Sequence, residues 1–221
     1  MAHFHPRVED LPGEFPVFPL PGALLLPRGK LPLNIFEPRY LAMTDDALGH
    51  GRMFGMIQPD TNLPETANGP ALFHVGCLGR LSSFSETEDG RYLITLTGVI
   101  RFAIAQELPT HRGYRRVRGD FSPYRADMNL EERPIGIERD TLVAALRGYF
   151  AHRGFDANWD AIKRLPDDML VITLGMVCPF EPAEKQALLE APSDAERAAT
   201  LLALLQMGAM QQDTPGGRSV S

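Results

Sequence analysis

The chain has 221 residues, of which 44 % are hydrophobic and 23 % charged, with a formal net charge of −6. That balance fits one or two globular domains with a sizeable core and excludes a low-complexity or collagen-like chain. With 22 bases against 28 acids there is no basic excess of the kind nucleic-acid binders carry, and no run approaches the roughly 20 apolar residues of a membrane span.

The charge is unevenly placed. Residues 1–125 carry 13 acids and 13 bases, whereas residues 126–221 carry 15 acids and 9 bases. The first residues, MAHFHPRVEDLPGEF, hold acids and prolines where a secretory signal would need an apolar run. Cys77 and Cys178 make no disulfide framework and no Cys-x-x-Cys, so both read as small buried hydrophobes in a reducing cytoplasm.

In chain order, the first 125 residues read as β-structure. Phe15 to Leu20, FPVFPL, is extended because proline fixes φ and biases the preceding residue towards β or polyproline conformation. Prolines inside a strand push it to a sheet edge or break it into pieces. Leu24–Leu26 and Leu31–Phe36 give two more short apolar strands. A helix follows from Pro38, with Tyr40, Met43, Ala47 and Leu48 at helical spacing and Gly49 and Gly51 ending it. Met53–Ile57 is a strand, and TNLPETANGP (residues 61–70) a polar loop.

The clearest hairpin comes next. HVGCLGRLSSFSE and RYLITLTGVIRFAIAQEL flank Asp89-Gly90, a favoured turn dipeptide. Both faces of the second arm are partly apolar, which predicts a central strand, and Gly98 is a predicted bulge. Tyr114–Tyr124 reads as the last strand. Several short strands with proline and glycine punctuation suggest a closed or nearly closed barrel.

From about residue 135 the spacing becomes helical. Helices are predicted over Thr141–His152, Trp159–Leu165, from Pro166-Asp167-Asp168, from Pro182 to Glu190, and from a capping box at Ser193-Asp-Ala-Glu196. The tail QQDTPGGRSVS reads as disordered. The expected division is a flexible 1–12, a β domain over 13–125, a helical domain over 126–210 and a disordered 211–221.

Groupings that could carry chemistry are scarce. There is no phosphate-binding Gly-x-x-x-x-Gly-Lys-[Ser/Thr] and no Gly-x-Ser-x-Gly elbow. His3-x-His5 is an adventitious metal pair at most, and no cofactor is expected. Glu86, Glu88 and Asp89 read as a solvated turn rather than paired acid and base. Ser82, Ser83, Ser85 and Ser122 are the serines to test if a hydrolase activity appeared. The one basic concentration, HRGYRRVR, offers Tyr114, Arg115, Arg116 and Arg118, with Arg112 and Arg125 at its ends, for RNA binding by phosphate pairing and stacking. The neutral charge of this half favours instead a solvated strand face that pairs with the acidic helical half.

Three stretches carry a family resemblance. FPVFPLPGALLLPRGKLPLNIFEPRYLAM resembles the opening of the LON substrate-binding domain, the N-terminal domain of ATP-dependent Lon protease. HVGCLGRL…DGRYLITLTGVIRFAI looks like its second signature, with Gly98, Arg101, Phe102 and Ile104. EKQALLEAPSDAERAATLLALL is similar to its helical segment, with Lys185, Gln186, Leu188, Leu189, Glu190 and Arg197. The resemblance covers about residues 13–207. It implies an α+β fold, a PUA-like six-stranded β-barrel with one inserted helix followed by a C-terminal helical bundle. Its ATPase and serine–lysine peptidase modules have no counterpart in these residues, and neither has the zinc-binding domain of the cereblon branch. What transfers is therefore binding of polypeptide clients or a partner protein, without catalysis. Phe84 and Tyr92 beside the acidic turn are the expected polypeptide contacts. Glu37, Arg39 and Tyr40 of FEPRY are expected to fix the helix against the barrel. The last helix, LLALLQMGAM, packs internally or forms the seam of a homodimer.

Overall fold

The computed structural model describes residues 6–131 and 134–210. The expected disordered tail at 211–221 and the His3-x-His5 pair lie outside the described residues. Six strands form one mixed sheet: β1 (Glu14–Pro19), β2 (Lys30–Ile35), β3 (Met53–Ile57), β4 (Val75–Glu86), β5 (Tyr92–His111) and β6 (Tyr114–Asp120). Helix α1 (Pro38–Gly49) lies between β2 and β3. Five more follow the sheet: α2 (Arg139–Arg153), α3 (Trp159–Arg164), α4 (Asp167–Val177), α5 (Pro182–Glu190) and α6 (Asp194–Met210).

The strand order is β2-β5-β4-β3-β1-β6, and β6 also pairs with β5. Only β1–β3 is parallel among these pairings. β5 runs for 20 residues and serves three partners: β2 and β4 at its start, β6 at its end. The expected central strand is therefore present. Its register against β4 shifts between Leu78 and Gly79, which face Ile100 and Gly98, so Val99 is the extra residue of the bulge predicted at Gly98.

Two expectations about the opening segment need correction. β1 is not an edge strand. It tolerates Pro16 and Pro19 because its two halves use different neighbours: residues 14–17 pair with β6 and residues 17–19 with β3. Each proline thus meets a ladder on one side only. Leu24–Leu26 is not a strand. It is buried irregular backbone laid across the β5 bulge, where Arg28 N–H donates to Gly98 O at 2.8 Å and Gly98 N–H to Gly29 O at 2.8 Å.

The last strand also ends sooner than its composition suggests. Beyond Asp120 the chain turns into a 3-10 segment, Ser122–Met128, because Pro123 cannot donate to a ladder. The helices follow the predicted stripes. Pro38 takes the first turn of α1, which buries Tyr40, Met43 and Ala47. Ser193 and Glu196 cap α6: Glu196 N–H donates to Ser193 Oγ at 3.1 Å, and Ser193 Oγ donates to Glu196 at 2.9 Å.

Apolar side chains form two clusters. One, inside the curled strands, gathers Phe15, Val17, Leu78, Ile100, Phe102 and Val117. Phe15 and Phe102 meet edge to face at 4.9 Å. The other runs from the opposite side of the strands through α1 into the C-terminal helices, where α6 packs on α2, α4 and α5. Glycines make room for the central ring: a Cβ at Gly76 would lie 2.5 Å from the Phe102 ring and 2.7 Å from Met56 O. Gly76→Ala is expected to cost about 1–3 kcal/mol by overpacking, read as a lowered urea midpoint at unchanged m-value.

Candidate polypeptide-binding surface

The residues of the second and third sequence signatures meet in a buried polar joint between sheet and helices. Arg101 of β5, 5 % exposed, forms a bidentate pair with Asp127 of the 3-10 segment, at 2.8 Å from Nε and 2.8 Å from Nη2. Its Nη1 donates to Leu189 O at 3.1 Å and Ala191 O at 2.7 Å, at the end of α5. Arg197 of α6 donates to Leu188 O at 2.9 Å and to Asp194 at 2.5 Å. Lys185 is buried, donates to Gly22 O at 2.7 Å, and is pushed below the usual lysine range by that burial. Gln186 donates to Val75 O at 3.0 Å and accepts from Gln58 at 3.2 Å. These side chains fasten the helices to the sheet and offer nothing to solvent.

The two cysteines are likewise shut away, whereas Ser82 is exposed. Burial pushes the Cys77 thiol far up and the Cys178 thiol up to about 12, so neither forms a thiolate near neutral pH. Ser82 Oγ donates to Thr95 O at 3.1 Å and accepts from Thr97 at 2.9 Å, with no base at hand. Among the described residues no group of three or more His, Cys, Asp or Glu is placed to hold a metal ion.

The arginine strand is β6, and its partners are not the expected acids of the helical half but acids and an amide of the sheet and α1 that lie nearer in the fold. Arg115, 6 % exposed, pairs bidentately with Glu107 at 2.8 and 2.9 Å and donates to Pro70 O. Burial works to raise the Glu107 carboxyl, but the bonds from Arg115 and Asn68 outweigh it and hold it below the usual range. Arg116 and Arg118 share Glu14, at 3.4 and 2.7 Å. Tyr114 is buried and its hydroxyl donates to Asp46 of α1 at 2.8 Å; burial and that bond raise it to about 12. In the FEPRY segment, Glu37 and Arg39 pair at 2.9 Å, and the Arg39 guanidinium lies 4.6 Å from the ring centre of Tyr40. Tyr40 in turn packs on Phe18 with ring centres 4.1 Å apart.

Exposed apolar side chains occur also on α4 and α6 (Val177, Met207 and Met210), but on the sheet they gather at the β2–β5–β4 end. Phe84 is 40 % exposed and meets Tyr92 edge to face at 5.0 Å, as two aromatics on one strand face should. Tyr92 also donates its hydroxyl to Asp45 of α1 at 3.0 Å, so it is anchored and Phe84 is the freer ring. On the opposite face Leu93, 47 % exposed, stands in register with Asn34 and Ser85. Phe36, 60 % exposed, follows the end of β2, with the Arg91 guanidinium 5.7 Å from its ring centre. A shallow hollow of about 420 Å³ lies along Pro32, Asn34, Ser83, Ser85, Leu93 and Thr95. Leu93 and Phe36 were not singled out in the sequence. A strong signal existed: Leu93 is the large apolar side chain on the phase opposite Ile94 and Leu96. Apolar residues on both phases of β5 point to a central strand and do not say which face stays open.

Comparison with known proteins bears on what such a surface serves. The profile of the ATP-dependent protease La (LON) substrate-binding domain matches residues 14–207. The chain is 25 % identical over 136 residues to Lon protease 2 of Myxococcus xanthus, and 28 % identical over 137 residues to Lon protease 2 of Sorangium cellulosum. These stretches are 61 % and 59 % of this chain but only 16 % and 15 % of those proteases. In structure it resembles a Lon N-terminal domain protein from Xanthomonas campestris, with TM-score 0.58 and 20 % identity over 86 % of this chain and 97 % of that one. It also resembles the N-terminal domain of the Mycobacterium avium complex Lon protease, with TM-score 0.54 and 17 % identity over 87 % and 97 %. The profile match spans nearly the whole described chain, and the six-stranded mixed sheet with its helices is the Lon N-terminal architecture: the chain belongs to the LON substrate-binding domain family.

Proposed function

We propose that this protein is a polypeptide-binding module that holds client or partner proteins in the cytoplasm, with neither ATPase nor peptidase activity of its own. The observation that carries the reading is the exposed apolar end of the β2–β5–β4 sheet, Phe36, Phe84 and Leu93, in a chain of the substrate-binding family. Large apolar side chains held out on rigid strands gain by covering with a partner's apolar side chains. The strand ring β1-β3-β4-β5-β6 we read as a PUA-like barrel over 13–125, and the helices of 126–210 as its companion bundle.

Leu93→Asp is expected to weaken binding of an unfolded model client at least about tenfold while leaving the far-ultraviolet spectrum and melting temperature near those of the parent. Fluorescence anisotropy with a labelled, reduced and carboxymethylated client measures it. Equal binding by the parent and by Leu93→Asp with Phe84→Ala would remove this surface from the function. RNA binding through β6 stands second, because Arg115 is buried and Arg116 and Arg118 are already matched by Glu14. Salt-dependent RNA retention, lost on Arg116→Ala with Arg118→Ala, would reverse the order.

A further inference from the structure

β2 is the one strand of the sheet with a single strand neighbour among the described residues. Its register with β5 runs unbroken from Lys30↔Thr97 to Ile35↔Tyr92. Outside that ladder the backbone of residues 30–36 makes no hydrogen bond among the described residues. Which groups are left over follows from the ladder. Gly98 N–H donates to Gly29 O at 2.8 Å and Gly98 O accepts from Arg28 N–H at 2.8 Å, so Arg28 and Gly29 together oppose Gly98 in a bulge that takes the place of a bonded pair and sets the phase of the ladder. Bonded and non-bonded pairs alternate along an antiparallel ladder, so Leu31, Leu33 and Ile35 bond to β5. Lys30, Pro32 and Asn34 then turn their backbone groups outward. Proline at 32 requires this phase, since it has no N–H to give to β5. The free edge therefore presents three carbonyls, from Lys30, Pro32 and Asn34, and two N–H groups, from Lys30 and Asn34.

The side chains along that edge are sorted as well. Leu31 and Leu33 are half-buried and extend the core row, while Lys30, Pro32 and Asn34 are exposed on the other face. That outer face continues with Leu93, Thr95, Ser83 and Ser85 in register and holds no acid. Lys30 has no ion pair among the described residues.

We infer that the β2 edge receives an extended client segment as a seventh strand, a segment with apolar side chains at alternate positions and an acidic residue beside Lys30. The inference rests on the polypeptide-binding reading and gives it a register. The backbone bonds supply affinity whatever the client's sequence, and the alternation supplies the preference. A second copy of this chain is the poorer occupant. An antiparallel β2–β2 pair centred on Pro32 would set proline opposite proline, lose a donor from each strand, and place Lys30 opposite Asn34 with no acid on the shared face. An incoming segment without proline meets only one missing donor.

The test uses a fluorescein-labelled peptide of alternating valine and threonine with one glutamate, alongside the same peptide N-methylated at alternate residues. Asn34→Pro removes one outward donor and leaves the β5 ladder whole, at a position already extended. The expected result is at least tenfold weaker binding by Asn34→Pro with an unchanged circular dichroism spectrum, and the same loss for one of the two N-methylation phases with the parent protein. If Leu93→Asp weakens binding and neither Asn34→Pro nor N-methylation does, the edge inference is overturned and the polypeptide reading stands. If the parent binds neither this peptide nor an unfolded client, both fall. If sedimentation instead shows a dimer that Asn34→Pro abolishes, the edge belongs to a second copy and the assigned occupant is wrong. Should Asn34→Pro fail to fold, the N-methylated peptides decide alone.

Discussion

Arg101→Ala is expected to lower the free energy of unfolding by about 3–5 kcal/mol, the range for removing one partner of a buried ion pair. The cost has three sources. Asp127, 7 % exposed, is left as a buried carboxylate without its guanidinium. Leu189 O and Ala191 O lose the donor that closes the end of α5. Tyr124 loses the guanidinium that lies 4.8 Å from its ring centre. Since Arg101 is the link between β5, the 3-10 segment and α5, the loss should also loosen the helices from the sheet. Urea denaturation followed by both circular dichroism and Trp159 fluorescence reads it. A much lower midpoint by both probes is expected for the variant. A double change, Arg101→Met with Asp127→Leu, is expected to be less damaging than Arg101→Ala, because no charge is stranded. A single variant within about 1 kcal/mol of the parent would contradict the account.

Gly98→Ala is expected to be comparably harmful, at about 3 kcal/mol, the upper end of overpacking. A Cβ there would stand 2.0 Å from Leu26 O, 2.8 Å from Leu26 C and 3.2 Å from Pro27 Cα. All three are backbone atoms, so no side-chain rotation relieves the clash. The bulge would have to shift, breaking the bonds that Gly98 exchanges with Arg28 and Gly29. Gly49→Ala is the control: its Cβ meets nothing within 4 Å, and the same methyl should leave the melting temperature within a degree or two. Equal melting temperatures for the two variants would show that the loop over the bulge yields.

The sequence made much of this legible, and the gaps have physical causes. Helix stripes and caps were readable because they are local: Pro38, Asp167, Pro182 and Ser193 open α1, α4, α5 and α6 as their chemistry demands. The hairpin and its bulge were readable from Asp89-Gly90 and Gly98. Leu24–Leu26 misled because three leucines suit a buried strand and a buried loop equally, and only the crossing of β5 decides between them. Arg101 stood out within a motif, but its role depends on Asp127, which lies 26 residues away, just past the strand read at Tyr114–Tyr124, where no local pattern marks it. The candidate surface was half legible. Phe84 and Tyr92 do meet, whereas Leu93 is exposed because that face of the β2–β5–β4 strands is left open, a property of how the layers pack and not of any one residue.

The pairing of β1 with β6 has a consequence for synthesis. Glu14 and Arg118, joined at 2.7 Å, are 104 positions apart in the chain. β1 leaves the ribosome well before β6 and therefore waits for it before its second ladder can form, and such distant closure is slow. During that interval the segment FPVFP is an apolar strand without its neighbour. Its two prolines, harmless in the finished sheet because each faces a ladder on one side only, deprive any mistaken partner of donors. The prolines that β1 tolerates in the interior of the sheet are thus also the ones that protect the nascent chain while it is alone.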